Sequence, residues 1–518
     1  MAFRELTPVT FLERAAAVFA ARPAVRSGDR LFTYAEFWDR AQRLAGVLAA
    51  RGVSPGDRVA VLAPNTHVLL EAHYGVPLAG AVLVALNTRL APQEIRYILE
   101  HSGASVLIVD ASLDAVADEA LAGEHPPLDR IGTGDYERLL SEAEPHRVPV
   151  TDERSLLSIN YTSGTTGRPK GVMYHHRGAY LQALAMALHA GLTPESTYLW
   201  TLPMFHTNGW CFPWAVTAAG AVHRCLPKPD PAEIWKAIRE EGVTHFCAAP
   251  TVLAMLADHP DAGPATTERP VKVFAGGAPP WPSLLRRMTA LGIDIQHLYG
   301  LTETFGPAVV SIWQPEWNTL PEEERAALMA RQGVANVIAE PLRVVGPDGR
   351  DVPADGTSMG EILLRGNDVM LGYYRDEAAT LAAAHDDWFR TGDVGVLHPD
   401  GYVEIRDRIK DVIISGGENI ASVEVEAALT AHPDVLEAAV VGVRHPKWQE
   451  VPVAYVTPRA GADVTEAELI AFVRDRLAHF KAPRRIVLAD LPKTSTGKIQ
   501  KNMLRERASS LADDLGES

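Results

Sequence analysis

Strand-length apolar runs separated by amphipathic stretches constrain the fold of this chain more than any other feature. Five such runs are rich in Val, Leu, Ala or Ile, and most end in a turn former or a polar residue. They span residues 58–64, 80–86, 105–110, 245–250 and 271–277. Continuous apolar runs between helices are typical of strands buried on both faces, so the sequence predicts α/β layers with parallel sheets. Periodicity alone also permits buried helices.

The pattern changes in residues 402–426, where charged and β-branched side chains alternate. Two strand-like runs, 436–443 and 451–458, and a helical pattern over 466–480 follow. These elements are enough for a small α+β domain with its own core. The sequence therefore predicts a large N-terminal domain of layered α/β subdomains over 1–408 and a small C-terminal domain over 409–518. The charged segment 316–331 is predicted to be a loop.

Composition and charge argue against several kinds of partner. Hydrophobic residues make up 47% and charged residues 22% of the 518 positions, as in folded globular proteins. The net charge is -16 and Lys and Arg form no long block, so neither nucleic acid nor an anionic membrane surface is an expected partner. The longest uncharged apolar stretch, 75–86, is shorter than the roughly 20 residues of a membrane span.

Cysteine usage and the chain termini bear on the compartment. Cys211, Cys225 and Cys247 are too far apart for a zinc knuckle and odd in number for a disulfide framework. We expect reduced thiols buried in the core. The apolar patch 15–21 is predicted to be an amphipathic helix rather than a signal peptide, and the C-terminus carries no peroxisomal address. A cytoplasmic protein is the resulting prediction.

A segment rich in Gly, Ser and Thr is the first candidate for a binding site. Residues 161–172 read YTSGTTGRPKGV, in which Pro169 precedes Lys170 and Gly171 follows it. The usual nucleotide loop has Gly before the lysine and Ser or Thr after it, so that rule is broken. Backbone N–H groups of such a turn can still form a nest for anionic oxygens, with Lys170 as a positive charge. The pattern permits a phosphate loop or a plain surface turn.

Other segments are weak signals when each is taken alone. YGLTET at 299–304, with GGAP at 276–279 before it, combines an aromatic ring, a glycine-rich backbone and a Glu beside Thr, which suit a nucleobase and Mg²⁺. TGD at 391–393 offers a carboxylate to ribose hydroxyls, and PKTSTGK at 492–498 offers a lysine. The alternatives are a core tyrosine, a common Gly-Asp turn and a solvated lysine.

The order and combination of the motifs are far more specific. YTSGTTGRPKG, PMFHTNGW, GGAP, YGLTET, WFRTGD, DRIKDVIISGGENI and PKTSTGK follow one another along the chain. Together they resemble the adenylate-forming superfamily of acyl-CoA synthetases, luciferases and peptide-synthetase adenylation domains, over residues 31–501. The resemblance implies an enzyme that makes an acyl-adenylate from a carboxylic acid and ATP, releases pyrophosphate and lets a thiol displace AMP.

The resemblance also implies roles for single residues in the first step. Those implied to bind ATP or AMP are Thr162, Ser163, Gly164, Thr165, Thr166, Gly167, Lys170, Gly276, Gly277, Ala278, Pro279, Tyr299, Gly300, Asp393 and Arg408. The implied catalytic residues are Lys498, Glu303, His206 and Thr302. Glu303 and Thr165 are the implied ligands of Mg²⁺. Lys498 would bridge the acyl carboxylate and the α-phosphate, where charge concentrates.

In this family the C-terminal domain rotates about a hinge between the two half-reactions. Lys410 matches the hinge position. Rotation would bring a second group of residues to the path of the thiol: Gly416, Gly417, Glu418 and Asn419.

The segment after Phe205 bears on the choice of acid. Relatives that activate amino acids carry an Asp just after this aromatic residue, whereas HTNGW follows here, so an amino acid is not the expected substrate. His206 and Trp210 resemble the pocket-lining histidine and gate tryptophan of acyl-CoA ligases, and Ala275 is expected near the same pocket. A core tryptophan and a satisfied core histidine are the alternative.

Longer stretches narrow the resemblance. MFHTNGWCFPW, YGLTETFGPA, PEWNTLPEEERAALMARQGV and ISGGENIASVEVE look like the acyl-activating enzymes of plant peroxisomes and their bacterial relatives, which use short- and medium-chain fatty acids and aryl acids. We expect a carboxylate–CoA ligase that uses ATP, Mg²⁺ and coenzyme A, as a monomer or homodimer. The alternatives are an adenylation enzyme that loads an acyl carrier protein, a luciferase-like enzyme and an ATP-binding regulator.

Overall fold

The apolar runs form sheets of mostly parallel strands in the computed structural model of the protein. The structure describes residues 3–123, 125–162, 168–264, 270–277, 280, 282–416, 418–459, 461–493 and 499–509. The chain divides into two compact units. Unit 1 comprises Met1–Leu342 and Leu364–Phe389, and unit 2 comprises Arg343–Leu363 and Arg390–Ser518.

The strands follow the apolar runs closely. In chain order they are β1 (Pro23–Ser27), β2 (Arg30–Thr33), β3 (Arg58–Leu62), β4 (Val82–Ala85), β5 (Ala104–Val109), β6 (Asp129–Gly132), β7 (Leu156–Thr162), β8 (Lys170–His175), β9 (Thr197–Trp200), β10 (Val222–Cys225), β11 (His245–Ala248), β12 (Val271–Ala275), β13 (Ile293–Leu301), β14 (Gly306–Val310), β15 (Val334–Ala335), β16 (Arg343–Val345), β17 (Met359–Leu364), β18 (Ala384–His385), β19 (Trp388–Leu397), β20 (Val403–Arg408), β21 (Ile413–Ser415), β22 (Glu418–Ile420), β23 (Val435–His445), β24 (Gln449–Pro458) and β25 (Arg485–Leu488). The five runs named from the sequence contain β3, β4, β5, β11 and β12, so the prediction that they form strands is confirmed.

The helices begin and end at recognisable local signals. In chain order they are α1 (Val9–Val18), α2 (Tyr34–Ala50), α3 (His67–Leu78), α4 (Pro92–Ser102), α5 (Asp114–Ala120), α6 (Thr133–Glu142), α7 (His176–Ala190), α8 (Thr207–Trp210), α9 (Phe212–Ala218), α10 (Pro231–Glu240), α11 (Pro250–Asp258), α12 (Pro282–Ala290), α13 (Glu322–Ala330), α14 (Glu377–Ala382), α15 (Ser422–Thr430), α16 (Glu466–Arg474) and α17 (Lys501–Ser509). Before α2, the Thr33 hydroxyl accepts the Glu36 N–H at 3.2 Å while the Glu36 carboxylate accepts the Thr33 N–H at 2.7 Å, which satisfies two unpaired helix-end donors.

The larger sheet of unit 1 brings several strand ends to one edge. Its order is β15-β14-β13-β12-β11-β9-β10-β1-β2. The strands from β13 to β1 in this order pair in parallel, whereas β14, β15 and β2 pair antiparallel. Because parallel strands share a direction, the loops after β9, β11, β12 and β13 leave the sheet at the same edge.

The second sheet of unit 1 has the order β6-β5-β3-β4-β7-β8. Its strands are parallel except for the hairpin of β7 and β8, in which Thr162 is paired with Lys170. Helices connect the parallel strands of both sheets. The α/β class expected from the sequence is therefore confirmed for this unit.

Unit 2 contains two smaller groups of strands. β16, β17, β19 and β20 form one. In the other, β23 and β24 form a long antiparallel hairpin, β21 and β25 flank β24, and α15 and α16 pack on a core that includes Ile413, Val425 and Leu469. The predicted helix over 466–480 is shorter than expected, because α16 ends at Arg474.

One sequence-based expectation is wrong and another is confirmed. The segment 316–331 is not a loop: a short turn, Pro315–Thr319, is followed by α13, whose first turn holds Glu322, Glu323 and Glu324 near the positive end of the helix dipole. The three cysteines are buried and form no disulfide. Among the described residues, no helix combines the length and apolarity needed to cross a lipid bilayer.

Candidate active site

Lys170 and Glu303, from two separate motifs, meet at the ring of Tyr373. The Nζ of Lys170 lies 4.7 Å from the centroid of the Tyr373 ring, within the range of a cation–π contact. The hydroxyl of Tyr373 donates to Oε1 of Glu303 at 2.8 Å. Burial, with the negative charge of Glu303, raises the pKa of Tyr373, so its hydroxyl remains a donor. The predicted phosphate-loop lysine and the predicted magnesium ligand are thus joined through one side chain.

Backbone hydrogen bonds hold Tyr373 in this position. The N–H of Tyr374 donates to the carbonyl of Gly171 at 2.7 Å, and the N–H of Met173 donates to the carbonyl of Gly372 at 3.0 Å. Tyr373 itself forms a bridge with Val172 of β8. Sequence reasoning missed Tyr373, because two adjacent tyrosines after a glycine carry no motif that distinguishes them from core residues.

Glu303 lies in the short turn Thr302–Thr304, which follows β13. The hydroxyl of Tyr174 donates to the carbonyl of Thr302 at 2.5 Å, and Oγ1 of Thr304 donates to the carbonyl of Gly306 at 2.7 Å. Oγ1 of Thr302 lies 3.5 Å from that of Thr207. The two hydrogen bonds to backbone carbonyls hold the turn that carries the Glu303 carboxylate.

The indole of Trp210 packs against two glycines of the predicted motifs. Trp210 is 8% exposed. A Cβ atom at Gly276 would lie 2.5 Å from Cη2 of the indole, and a Cβ atom at Gly306 would lie 3.1 Å from Cα of Trp210. The φ of Gly306 is 101°, a conformation that other residues rarely adopt. Glycine at both positions therefore lets Trp210 lie against the loops that follow β12 and β13.

The other described site residues of unit 1 lie in, or directly beside, β12, β13 and α8. Ala275 is the buried last residue of β12, and the exposed Gly277 follows two residues later. Tyr299 and Gly300 belong to β13. His206 precedes α8, and its N–H donates to the carbonyl of Pro203 at 3.1 Å.

Several predicted site residues lie outside the described residues: Ser163, Gly164, Thr165, Thr166, Gly167, Ala278, Pro279, Gly417 and Lys498. Their roles stay predictions. Of the phosphate loop, the structure describes its two ends, Thr162 and Lys170, which are paired across β7 and β8.

In unit 2, Asp393 and Arg408 form an ion pair. Nε of Arg408 lies 3.1 Å from Oδ1 of the buried Asp393, and the two residues are paired across β19 and β20. The N–H of Asp393 donates to Oγ1 of Thr391 at 3.0 Å. The two residues predicted to bind ribose are therefore neighbours within this unit.

The predicted hinge residue is tied to the last described helix. Nη2 of Arg505, on α17, donates to the carbonyl of Lys410 at 3.3 Å and forms an ion pair with the carboxylate of Asp411. Burial lowers the pKa of Lys410. The N–H of Gly416 donates to the carbonyl of Trp448 at 2.8 Å, and Glu418 and Asn419 lie in β22.

The chemistry of Glu303 suits Mg²⁺. Mg²⁺ takes oxygen ligands and is usually held by one or two carboxylates together with substrate phosphates. Glu303 offers a carboxylate whose Oε1 is oriented by Tyr373. In the described part of the chain, no three His, Cys, Asp or Glu side chains form a cluster that could hold a metal, and a site completed by phosphate oxygens needs none.

Comparison with protein families and named proteins gives consistent matches. A family model described as "AMP-binding enzyme" matches residues 12–374, and one described as "AMP-binding enzyme C-terminal domain" matches residues 424–498. The chain is 43% identical to a peroxisomal acetate/butyrate–CoA ligase of Arabidopsis thaliana, over 98% of this chain and 95% of the relative. It is 42% identical to 4-hydroxybutyrate–CoA ligase 2 of Metallosphaera sedula with the same coverage, and 41% identical to the peroxisomal benzoate–CoA ligase of A. thaliana, over 98% and 94%.

Solved structures match over nearly the whole chain. ATP-bound MatB from Rhodopseudomonas palustris has a TM-score of 0.87 and 28% identity, covering 97% of this chain and 99% of that protein. The o-succinylbenzoate CoA synthetase of Bacillus subtilis, in complex with its acyl-adenylate intermediate, has a TM-score of 0.84 and 30% identity, covering 96% and 97%.

These matches bear on four expectations from the sequence. The adenylate-forming fold and the ATP-dependent CoA-ligase activity are confirmed, and Mg²⁺ is usual in such enzymes. Loading of a carrier protein is not favoured. The predicted cytoplasmic location is wrong by this measure, because several plant relatives are named as peroxisomal proteins.

Proposed function

Because the chain belongs to the AMP-binding enzyme family and is an ATP-dependent carboxylate–CoA ligase, we propose that its substrates are short- or medium-chain fatty acids or aryl acids. The observation that carries this proposal is the indole of Trp210, which lies against Gly276 at the end of β12. A large buried side chain at this place limits the space for an acid. The relatives include proteins named as 2-methylpropanoate–CoA and benzoate–CoA ligases, and these names support the same class.

In the first step, the acid carboxylate attacks the α-phosphate of ATP and pyrophosphate leaves. Both reactants are anions, so catalysis depends on positioning and on positive charge. We assign the grip on the departing pyrophosphate to the loop from Thr162 to Lys170, with Tyr373 holding Lys170 and Glu303 together. Mg²⁺, when bound by Glu303 and Thr165, would neutralise charge on the phosphates. Lys498 supplies positive charge between the acyl carboxylate and the α-phosphate.

The remaining nucleotide contacts are divided between two groups of residues. We assign adenine to the segment Gly276, Gly277, Ala278 and Pro279 with Tyr299 and Gly300, and the α-phosphate to Thr302. Asp393, held by Arg408, would accept hydrogen bonds from the ribose hydroxyls. His206 would line the acid pocket beside Trp210.

In the second step, the thiol of coenzyme A attacks the acyl carbon and AMP leaves. We propose that the chain from residue 409 onward rotates about Lys410, so that Lys498 withdraws after adenylation. Gly416, Gly417, Glu418 and Asn419 would then line the path of the thiol. The carbonyl of Lys410 accepts a hydrogen bond from Arg505 on α17, and this carbonyl moves with the downstream chain when φ and ψ of Lys410 change, so the bond ties the start of the rotating part to α17.

A substrate panel tests the proposed acid class. AMP release is measured with acetate, butyrate, octanoate and benzoate, each with and without coenzyme A. We expect CoA-dependent AMP release with at least one of these acids. Release with none of them, but with a longer or amino-substituted acid, would refute the substrate class while leaving the ligase family intact.

The role of Lys498 is tested by its removal. Lys498→Ala should lower acid-dependent pyrophosphate formation by about 100- to 1000-fold, the usual effect of losing one stabilising group at a developing charge. Lys493→Ala is the control, because Nζ of Lys493 is already paired with Glu437 at 2.7 Å. Normal pyrophosphate formation in Lys498→Ala would show that this lysine has another role.

The hinge is tested by separating the two steps. Lys410→Pro should leave pyrophosphate formation intact and slow thioester formation from preformed acyl-adenylate, because proline restricts the backbone at the point of rotation. Equal losses in the two steps would refute the hinge. The proposed monomer or homodimer is checked by light scattering on the purified protein.

A further inference from the structure

Five consecutive residues beside the acid pocket have positive φ angles. The values for Thr207, Asn208, Gly209, Trp210 and Cys211 are 50°, 38°, 54°, 55° and 63°. Left-handed backbone is unfavourable for every residue with a Cβ atom, and most of all for a β-branched residue such as Thr207. A turn of this kind persists only where its surroundings determine it. We call residues 207–211 the left-handed turn.

The carboxamide of Asn208 holds the left-handed turn through a buried network. Oδ1 of Asn208 accepts from Oγ of Ser158 at 2.7 Å and from the Nδ2 of Asn160. The N–H of Asn208 donates to Oδ1 of Asn160 at 2.9 Å, and its Nδ2 lies 3.0 Å from Nε2 of His73. All four residues are at most 2% exposed. Every polar group of the Asn208 side chain is therefore paired away from water.

His73, the partner of the Asn208 carboxamide, is held as one neutral tautomer. Nδ1 of His73 donates to the carbonyl of Leu69 at 2.7 Å, which leaves Nε2 as the acceptor for Asn208. Burial lowers the pKa of His73 to about 4, so the ring is neutral at neutral pH. The edge-on contact of its ring with Trp214, at 5.5 Å between centroids, also restrains it.

The network links the left-handed turn to two other parts of the site. Ser158 and Asn160 lie on β7, the strand that ends at Thr162 and leads into the predicted phosphate loop. Within the turn itself, Trp210 lies two residues after Asn208, and its indole lies against Gly276. A change in the backbone at Asn208 would therefore move the indole, because the intervening residue is a glycine with no side chain to pack.

We propose that Asn208 is a positioning residue that holds Trp210 in place and thereby sets the largest acid that the pocket accepts. The inference rests on the proposed function, in which Trp210 lines the acid pocket. With the network intact, the indole cannot move without breaking several buried hydrogen bonds. Without the carboxamide, the turn can relax towards ordinary φ values, and the indole can yield to a longer acid.

Asn208→Gly is the decisive variant, because glycine tolerates the positive φ of this position and removes the side chain with its carboxamide while keeping the backbone N–H that donates to Asn160. kcat/KM is measured for acetate, butyrate, hexanoate and octanoate, together with KM for ATP. We expect the ratio of kcat/KM for octanoate to that for acetate to rise by about 10-fold, the factor that one lost buried hydrogen bond commonly changes. KM for ATP should change far less. Ser158→Ala, which removes one of the donors to Oδ1, should shift the ratio in the same direction by a smaller factor.

A double-mutant cycle tests whether Asn208 acts through Trp210. In a Trp210→Ala background the indole is absent, so Asn208→Gly should produce no further change in the acid ratio. Tyr136→Phe is the matched control, since it also removes a buried hydrogen bond, the 2.7 Å bond to Glu71, from the same unit. It should lower the melting temperature without altering the acid ratio.

Two outcomes would overturn the inference. If Asn208→Gly lowers kcat/KM for all four acids by one common factor, the residue has only a structural role. If the ratio shifts equally in the presence and absence of Trp210, Asn208 does not act through the indole. Failure of the proposed function is distinguishable, because the wild-type enzyme would then give no CoA-dependent AMP with any of these acids or with benzoate.

Discussion

Buried histidines of unit 1 pair with uncharged groups, whereas unit 2 holds a partly buried carboxylate beside a lysine. Five buried histidines of unit 1 have hydrogen-bond partners that are carbonyl, hydroxyl, amide or indole groups: His73, His175, His176, His223 and His245. In unit 2, Oε1 of Glu426 lies 2.6 Å from Nζ of Lys501 and accepts the N–H of Val440 at 2.7 Å. The two units therefore differ in which protonation state their interiors favour.

The difference predicts that acid affects the two units with opposite sign. Burial lowers the pKa of His73 and His176 to about 4 and that of His223 to about 3, from 6.5. The unfolded chain binds more protons below pH 6.5, so the stability of unit 1 is present above that pH and is lost as the pH falls towards 4. Burial raises the pKa of Glu426, despite Lys501, so protonation of this group favours folded unit 2.

The largest expected effect is the loss of unit 1 between pH 6.5 and pH 4 while unit 2 remains folded. One pKa unit corresponds to about 1.4 kcal/mol, so the lowered pKa values of three buried histidines together remove free energy on the order of the 5–15 kcal/mol that stabilises a folded protein. Burial raises the pKa of Asp368 to about 7, so this one group binds a proton in folded unit 1 and partly offsets the loss of stability caused by the histidines. Peptide-level hydrogen exchange over this pH range, corrected for the intrinsic rate, measures the two units separately.

Loss of protection from hydrogen exchange in both units at the same pH would contradict the predicted difference between the two units. High salt is the control, since it screens exposed ion pairs but leaves the cost of protonating a buried histidine in place. A transition of unit 1 that moved strongly with salt would show that surface charges, and not the buried histidines, determine its acid stability.

A methyl group at Gly276 should have the next largest effect, and it should act on adenylation, the step assigned to the site residues of unit 1. It would lie 2.5 Å from the indole of Trp210, so Gly276→Ala must displace that ring. We expect kcat/KM for the acid to fall by about 10- to 200-fold, because one added or missing methylene in an apolar pocket commonly changes kcat/KM by that factor. Gly134→Ala on α6 is the control, because no atom lies within 4 Å of the added methyl group. Equal activity of the two variants would contradict the assigned position of Trp210.

Removal of the Tyr373 hydroxyl should have a smaller effect on adenylation. Tyr373→Phe keeps the ring beside Lys170 and deletes the 2.8 Å bond to Glu303. Pyrophosphate formation should slow by about 5- to 10-fold, as expected for the loss of one ordinary hydrogen bond. Tyr374→Phe is the matched control, since its hydroxyl is 3.5 Å from the carbonyl of Ser102. A larger effect in the control would exclude the proposed link between Lys170 and Glu303.

The smallest effect is expected in unit 2. Arg505→Ala removes the hydrogen bond to the Lys410 carbonyl and the ion pair with Asp411, so the residues directly after the hinge are held less firmly to α17. Single-turnover thioester formation from acyl-adenylate should fall by about 2- to 3-fold, in line with the energy of partly exposed ion pairs, with adenylation unchanged. The exposed Arg474, on α16, is the control for loss of one positive charge. A parallel change in both half-reactions would argue against a role at the hinge.

Local patterns in the sequence are enough to predict five buried strands and to name much of the candidate site. β3, β4, β5, β11 and β12 form where apolar runs of strand length occur, because a strand buried on both faces needs apolar side chains at every position. Lys170, Glu303 and Trp210 are recognisable for a related reason: each lies in a short contiguous motif. Helix α13 is missed, because its charged first turn has the composition of a loop and only Ala326 is buried.

What the sequence by itself determined is therefore the layered α/β class and the family, and it supplied the candidate residues for the chemistry. Only the tertiary structure located Tyr373 between Lys170 and Glu303, and only it showed that His73, Ser158 and Asn160 hold Asn208 in a left-handed turn. The physical reason is distance along the chain. Periodicity and turn chemistry act between neighbours, whereas these hydrogen bonds form only after α3, β7, β8 and the loops have packed together.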